Sequence, residues 1–120
     1  MTSDLRPDPW PWPDDLDGPI AAPGIHRVVF ENDRVRVVET LIKVGERTPV
    51  HTHAAGTLSY VISGSHLVRR DEHGSVVLDT RTVDPPYVMP EVLWSEYLGA
   101  HSLENPGPAE LRVIGIEVKA

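Results

Sequence analysis

Two histidines lie two residues apart in this sequence, at His51 and His53, just before an apolar run. In an extended chain, side chains at positions i and i+2 point to the same side, so both imidazoles can reach one point. Such a pair can hold a metal ion through its neutral nitrogens, but it also occurs as the polar edge of an ordinary strand. The pair alone leaves both interpretations open.

A third histidine, His101, begins a later apolar stretch. In a closed barrel, strands that are far apart in sequence can face each other across the interior, so His101 could join the first two. Three imidazoles suit Zn, Fe, Ni, Cu or Mn and leave positions open for water or a substrate. His51, His53 and His101 are therefore candidate ligands of one metal ion, and these residues alone leave the strand-edge interpretation open.

The other three histidines show no partner at ligand spacing. His73 precedes Gly74 in an apparent hairpin turn and is expected to be solvated. His26 and His66 are interpreted as strand residues outside the metal site, although His66 could line a cavity if it points inward.

Length and composition exclude several classes of protein. A chain of 120 residues has room for one domain with a modest core. The absence of cysteine excludes disulfides, thiolate ligands and a cysteine nucleophile. A net charge of −7 argues against nucleic acid, because phosphate binding needs clustered Lys and Arg. No apolar run approaches the roughly 20 residues that cross a bilayer, and the acidic, Pro-rich start is unlike a signal peptide. We expect a cytoplasmic protein that binds neither nucleic acid nor membranes.

The first 24 residues are rich in proline and contain Trp10 and Trp12. Closely spaced prolines disfavour a helix or a central strand, so residues 1–24 are predicted to form an extended arm of polyproline character. Composition alone would also fit a disordered leader, whereas the tryptophans favour docking on the barrel or on a partner subunit.

Residues 25–120 are typical of a single β-domain. Short runs of Val, Ile and Leu alternate with turn residues, and no long helical period is present. We predict an all-β sandwich or jelly roll. The predicted strands lie near Ile25–Phe30, Val35–Val44, Leu58–Ser63, His66–Arg70, Val76–Thr80, Val92–Tyr97, His101–Glu104 and Leu111–Val118.

One segment resembles the first motif of the cupin superfamily. The matching residues are Gly45, His51, His53 and Gly64, at the family's spacing. Thr57 stands where the family usually has a glutamate. The stretch at residues 29–39 is also similar to the opening strands of small single-domain bacterial cupins.

The end of the second cupin motif is matched by His101 and Asn105. Its earlier part departs from the family pattern, with Pro90, Glu96 and Leu98 where Gly, Pro and Gly are usual. The resemblance covers about residues 25–118. It implies a cupin-type jelly-roll β-barrel, a double-stranded β-helix, in which the three predicted histidines hold one divalent metal ion and Asn105 supports the strand.

The missing glutamate affects which chemistry the resemblance implies. Thr57 removes one negative charge and one strong ligand, which disfavours hard ions such as Mn²⁺ and draws anionic substrates to the ion. Three-histidine iron cupins include thiol dioxygenases and diketone-cleaving dioxygenases. We expect iron first, with zinc, nickel or manganese as alternatives. The expected function is a metal-dependent dioxygenase or lyase acting on a small organic acid, thiol or diketone. A binding module without turnover and a purely structural protein are the alternatives.

Five further residues are candidates for contact with a substrate: Thr57, Tyr60, Arg69, Glu96 and Tyr97. Tyr60 and Arg69 could bind a carboxylate, although each is more often an ordinary strand residue. Glu96 would replace the missing glutamate if it points inward, and would be a surface charge if it points outward.

The resemblance also bears on assembly, because small cupins of this kind are commonly dimers. Open sheet edges favour pairing with another chain. We therefore expect a homodimer, with the Pro-rich arm crossing between subunits.

Overall fold

The computed structural model describes residues 10–119, which form mainly β-structure. Two short helical segments precede nine strands in this part of the chain. The elements are a 3₁₀ helix at Asp14–Leu16, α1 at Gly18–Ala21, β1 at His26–Glu31, β2 at Val35–Ile42, β3 at His51–His53, β4 at Gly56–Ser63, β5 at Val68–Asp71, β6 at Val76–Asp79, β7 at Val92–Ser95, β8 at Leu98–Glu104 and β9 at Leu111–Val118. Neither helical segment in residues 10–119 has the length and hydropathy of a bilayer-spanning helix.

The strands pair antiparallel in two sheets. One has the order β1-β2-β9-β4-β7 and the other the order β3-β8-β5-β6. From β2 to β9 the chain passes back and forth between the sheets, as in a jelly roll. Side chains alternate along each strand, so β9 buries Leu111, Gly115 and Glu117 while Arg112 and Ile116 are exposed. The predicted all-β fold is confirmed.

All eight predicted strands overlap observed ones, but β3 was not predicted. It contains only His51, Thr52 and His53, so it lacks the apolar alternation that marked the other strands. β3 pairs with β8, a strand that lies nearly fifty residues later in the sequence. Local sequence patterns carry no information about a pairing over that distance. The pairing supplies a β-conformation that propensity alone does not indicate.

The described part of the Pro-rich segment is not uniformly extended, so that prediction is wrong for residues 10–24. Pro19 stands in the first turn of α1, where its missing N–H costs no helical hydrogen bond. Ala22 and Ile25 then enter the apolar core beside Ile42 and Leu111. The segment docks on its own barrel, one of the two outcomes expected. Residues 1–9 lie outside the described residues, and the division between an arm of residues 1–24 and a barrel of residues 25–120 stays a prediction.

Asn105 fixes the turn that follows β8. Its fully buried amide group donates to the carbonyls of Ile42 at 2.8 Å and Ala109 at 3.0 Å. Its oxygen accepts from the Gly107 N–H at 2.8 Å, and Gly107 has a φ of 87°, which favours glycine. The supporting role implied for Asn105 is thus visible as three hydrogen bonds that join β2 to the β8–β9 turn.

Candidate metal centre

Four histidines meet inside the barrel, with His51 at the centre of the group. The ring centroid of His51 lies 4.6 Å from His26, 4.9 Å from His53 and 4.5 Å from His101. The ring centroids of His53 and His101 are 5.3 Å apart. Three predicted ligands therefore come together, and a fourth imidazole joins them.

Strand pairing brings these residues together from distant parts of the chain. His51 on β3 pairs with His101 on β8, so the two side chains stand opposite each other. A register shift between His51 and His53 accompanies the approach of the second β3 histidine. His26 is the first residue of β1 and pairs with Thr40 of β2, which lines the cavity described below.

Backbone carbonyls fix the tautomer of two histidines. The Nδ1 of His51 lies 2.9 Å from the Pro49 carbonyl, and the Nδ1 of His101 lies 2.7 Å from the Gly99 carbonyl. A carbonyl only accepts, so each Nδ1 carries the proton and donates it, and each Nε2 keeps its lone pair. Both Nε2 atoms are buried and lack a hydrogen-bond partner within residues 10–119. Two anchored imidazoles with unpaired inward nitrogens are the arrangement that metal-ligating histidines show.

His26, interpreted from the sequence as a residue outside the metal site, is grouped in the structure with His51 and His53, and the predicted ligand His101 is not part of this group of mutually close nitrogens. One ligand nitrogen from each of His26, His51 and His53 lies within 4.8 Å of the others. Nitrogens bound tetrahedrally to one ion at about 2.1 Å lie about 3.4 Å apart, so these three nitrogens would have to approach one another by up to about 1.4 Å. The Nδ1 of His26 is also buried without a hydrogen-bond partner among the described residues. Sequence spacing missed it because His26 reaches the group through the pairing of β1 with β2, not through a local motif.

All four imidazoles are neutral near pH 7. Burial, reinforced by His51, lowers the pKa of His26 and of His101 to about 4. Burial also lowers the pKa of His51, and burial together with the neighbouring imidazoles holds the pKa of His53 well below its usual value. A charged imidazole would lose solvation and repel the other three. The group thus presents neutral nitrogens, the form that binds metal ions.

A cavity of about 180 Å³ adjoins the histidines. His26, His53 and His101 form part of its wall, and most of the remaining wall is apolar. Side chains that line the cavity include Val38, Val61, Leu67, Leu78, Met89, Leu93, Leu103 and Val113, with Thr40, Thr57, Ser59, Arg69, Tyr87, Ser95, Glu96 and Glu117 as polar members.

The predicted substrate residues divide into two groups. Thr57, Arg69 and Glu96 line the cavity. Tyr60 lies half-exposed on the opposite face of β4, so the expectation that it contacts a substrate in this cavity is corrected. Tyr97 is not part of the cavity wall, and its ring contacts Trp10 edge-on with centroids 6.2 Å apart.

Glu96 does not join the histidine group and so does not replace the glutamate that cupins usually have at the position of Thr57. Glu96 is exposed and accepts a hydrogen bond from the Trp94 indole. The Thr57 hydroxyl donates to the Ala55 carbonyl at 3.3 Å. The side chain that the structure adds to the site is the imidazole of His26.

The two remaining histidines lie apart from the group. His66 has its Nδ1 3.0 Å from the Thr80 hydroxyl and is not part of the cavity wall. His73 lies at the β5–β6 turn and is exposed, as expected.

The barrel matches solved cupin structures. It superposes on a cupin domain from Bordetella pertussis with a TM-score of 0.62 at 24% identity, covering 80% of this chain and 93% of that one. An RmlC-like cupin family protein with a double-stranded β-helix fold from Methanocaldococcus jannaschii gives a TM-score of 0.56 at 12% identity, covering 78% of each chain. A cupin superfamily protein from Desulfitobacterium hafniense gives 0.52 at 18% identity, covering 80% and 77%.

Comparison of the amino-acid sequence, unlike comparison of the structure, finds no similar protein or family. No protein-family model matches the chain, and no curated protein matches it. At such identities the structural likeness shows the fold: the chain is a cupin-type double-stranded β-helix, as predicted. This fold, with three histidines whose nitrogens could hold an ion, supports a metal-binding cupin.

Proposed function

We propose that this protein is a mononuclear metal-dependent enzyme, a dioxygenase or lyase that acts on a small organic acid, thiol or diketone. One observation carries the proposal: His51 and His101, each with a buried and unpaired Nε2, pack closely with two more neutral imidazoles beside a cavity. Unpaired buried nitrogens are costly, and a bound ion would satisfy them.

The proposed ligands are the predicted His51, His53 and His101, with His26 as a fourth nitrogen. Iron is expected first, and zinc, nickel and manganese are the alternatives. A bound ion of this kind supplies Lewis acidity and, for iron, redox chemistry with dioxygen. Neutral ligands leave the ion's charge uncompensated, so the site attracts an anionic or polarisable substrate group.

The chain's own residues orient the site and shield it from water. The carbonyls of Pro49 and Gly99 hold two imidazoles in fixed rotations. The apolar cavity wall lowers the local dielectric constant, which strengthens electrostatic interactions with a bound substrate. Helix α1 covers the group, because a Cβ on Gly18 would lie only 3.3 Å from His53 and 3.4 Å from His26.

A second candidate is a cupin that binds a small ligand without turnover. It is favoured by the state of Glu117, the buried carboxylate in the cavity wall, which already accepts a hydrogen bond from Arg36 at 2.7 Å. Burial raises the pKa of Glu117, but the Arg36 guanidinium engages one of its carboxylate oxygens, which leaves that oxygen unable to accept a proton from a bound ligand.

Metal analysis tests whether the protein binds a metal ion. Untagged protein, purified without chelators or nickel resin, should contain about one equivalent of metal by mass spectrometry, and iron would favour the dioxygenase. His101→Ala and His26→Ala should lower the metal content, whereas His73→Ala, at an exposed turn, should not. A protein that takes up no ion on reconstitution with Fe²⁺, Zn²⁺, Ni²⁺ or Mn²⁺ is not a metalloenzyme. Oxygen uptake with thiols, β-diketones and small organic acids then separates the enzyme from the binding protein.

A further inference from the structure

Arg69 is a cation inside the cavity wall without a counter-ion. It makes no ion pair and no side-chain hydrogen bond within residues 10–119, and its Nε is buried and unpartnered. The other partly buried arginines are satisfied: Arg36 binds Asp17 and Glu117, and Arg70 binds Glu104. Arg69 is half-buried and its Nε is a buried donor without an acceptor, so Arg69 is a position where an anion would be stabilised.

The carboxylates nearest to Arg69 in sequence are engaged elsewhere. The Asp71 side chain accepts from the backbone N–H groups of His73 and Ser75 at 2.9 and 3.0 Å. Glu72 accepts from the Trp12 indole at 3.4 Å. Burial lowers the pKa of Arg69, and no carboxylate within residues 10–119 offsets that effect.

Arg69 faces the same interior as the histidines. It pairs with Leu103 across β5 and β8, and His101 stands two residues from Leu103 on the same face of β8. Diagonal neighbours of this kind have a separation of about 7–8 Å. Tyr87 belongs to the same wall and influences the guanidinium electrostatically, while its hydroxyl group donates to the Met89 sulfur at 3.8 Å. An anionic group on Arg69 would therefore leave the rest of a short molecule facing the histidine nitrogens.

We propose that Arg69 is the anchor for a ligand carboxylate, and that the cavity takes a small monocarboxylic acid with a largely apolar body. The inference rests on the proposed function for its metal-facing end, but the anchor itself requires no metal. Arginine binds a carboxylate through two parallel hydrogen bonds, which fixes orientation as well as position. The apolar wall contributed by Leu78, Leu93 and Met89 suits the body of the acid.

Binding of carboxylates and of neutral molecules of the same shape tests the anchor. Calorimetry would compare propionate and benzoate with propionamide and benzamide, on metal-free and on zinc-loaded full-length protein. We expect the acids to bind both forms, about 10- to 100-fold more weakly in Arg69→Gln and without change in Arg81→Gln. Arg81 is the matched control because it is exposed, ion-paired with Asp79 and outside the cavity. If Arg69→Gln fails to fold, Arg69→Lys keeps the charge, loses the bidentate geometry and should show an intermediate loss.

Each outcome separates the anchor from the metal site. Acid binding that Arg69→Gln leaves unchanged, or that appears only with metal, overturns the anchor while the proposed function stands. Arg69-dependent binding by a protein that takes up no metal supports the anchor and removes the proposed function. Failure of every acid to bind either form also overturns the anchor.

A separate feature concerns the outer face of the five-stranded sheet. Backbone register places one apolar residue from each strand in a single row that crosses the whole sheet. The row, here called the outer apolar row, consists of Phe30, Val37, Ile116, Leu58 and Trp94. None of its members is charged, and their side chains face away from the cavity.

The area of this surface suits a protein interface. Phe30, Leu58, Trp94 and Ile116 in the row are 37 to 54% exposed, as are the neighbours Tyr60, Val92 and Val118. With side chains of about 150–250 Å², these exposures amount to roughly 600 Å² of apolar surface. That lies at the upper limit of what monomers leave exposed and approaches the about 800 Å² per partner of a stable complex.

We infer that the outer apolar row is the interface of a homodimer. A two-fold axis brings the same patch of each copy together, and an uncharged row meets its own copy without like-charge repulsion. The charged residues at one end of the face all have a partner within the chain, because Glu39 pairs with both Arg27 and Arg112, and one positive charge remains in excess. A second copy can therefore cover the apolar row without separating these charged side chains from their partners.

Light scattering and sedimentation test the interface. We expect twice the 13.3 kDa chain mass for the native protein and one chain mass for Leu58→Asp, with unchanged metal content. Val77→Asp is the control, because Val77 is an exposed apolar residue of the other sheet and should leave the dimer intact. A monomeric native protein overturns the inference, as does a dimer that survives Leu58→Asp. If removal of residues 1–9 alone abolishes the dimer, exchange of that segment replaces the sheet face as the explanation.

Discussion

The indole of Trp12 occupies the space in which a side chain at residue 99 would stand. A Cβ at residue 99 would overlap the Trp12 ring, closer than real contacts allow. Gly99 is also the residue whose carbonyl fixes the ring of His101. The N-terminal segment and the histidine group are therefore joined through one glycine of β8.

Gly99→Ala should displace the Trp12 indole and destabilise the protein. Overpacking of this kind costs about 1–3 kcal/mol in free energy of unfolding, which urea denaturation would measure. Gly24→Ala is the matched control, since a Cβ there meets nothing within 4 Å. Equal stability of the two variants would mean that displacement of the Trp12 indole does not change the free energy of unfolding.

Loss of the Arg36 side chain should loosen the N-terminal segment from the barrel. Arg36 donates to Asp17 at 2.7 and 2.8 Å and to Glu117 at 2.7 Å, which joins the segment to β2 and β9. Arg36→Met leaves Glu117 buried without its partner, and we expect a loss of about 1–3 kcal/mol. Limited proteolysis should then cleave before residue 22. Arg81→Met, which breaks an exposed pair, should change neither stability nor cleavage.

Asn105→Ala should destabilise the turn that follows β8. The change removes three hydrogen bonds and leaves the buried bond site at the Ile42 carbonyl and the partly buried one at the Ala109 carbonyl without this donor. A loss of about 2–4 kcal/mol in free energy of unfolding is expected, since unsatisfied buried groups add to the lost bonds. Asn32→Ala is the comparison, because Asn32 also caps a turn but does so at an exposed site. If the two changes cost the same, burial contributes nothing at Asn105.

The metal-free protein should lose stability as the pH falls from about 6.5 to about 4. His26 and His101 have a pKa of about 4 when folded and an ordinary pKa of 6.5, so the unfolded chain binds protons first. The stability due to the neutral imidazoles is present above pH 6.5 and is lost as the pH falls towards 4. The slope is about 1.4 kcal/mol per pH unit for each proton taken up.

Thermal unfolding at several pH values, on chelated protein, would measure this dependence. His26→Gln should make the profile shallower, because one of the titrating imidazoles is removed. A flat profile between pH 7 and pH 4 would contradict the burial of neutral histidines.

The sequence by itself determined the β-fold and the first three members of the histidine group. Both depend on local repeats: the alternation of apolar residues reports a strand with one buried face, and the i, i+2 spacing puts His51 and His53 on one side. The cupin motifs then supplied His101 and the supporting role of Asn105, which the structure shows as hydrogen bonds to Ile42 and Ala109.

Only the tertiary structure decided the rest. His26 joins the group because β1 pairs with β2 on the inner face, and Tyr60 leaves the cavity because its position on β4 faces outward. Trp12 packs against Gly99, and no sequence pattern indicates that these two distant residues are in contact. The physical reason is the same in each case: strand register and the side that a residue faces are set by pairing between distant segments, and a shift of one residue would reverse them.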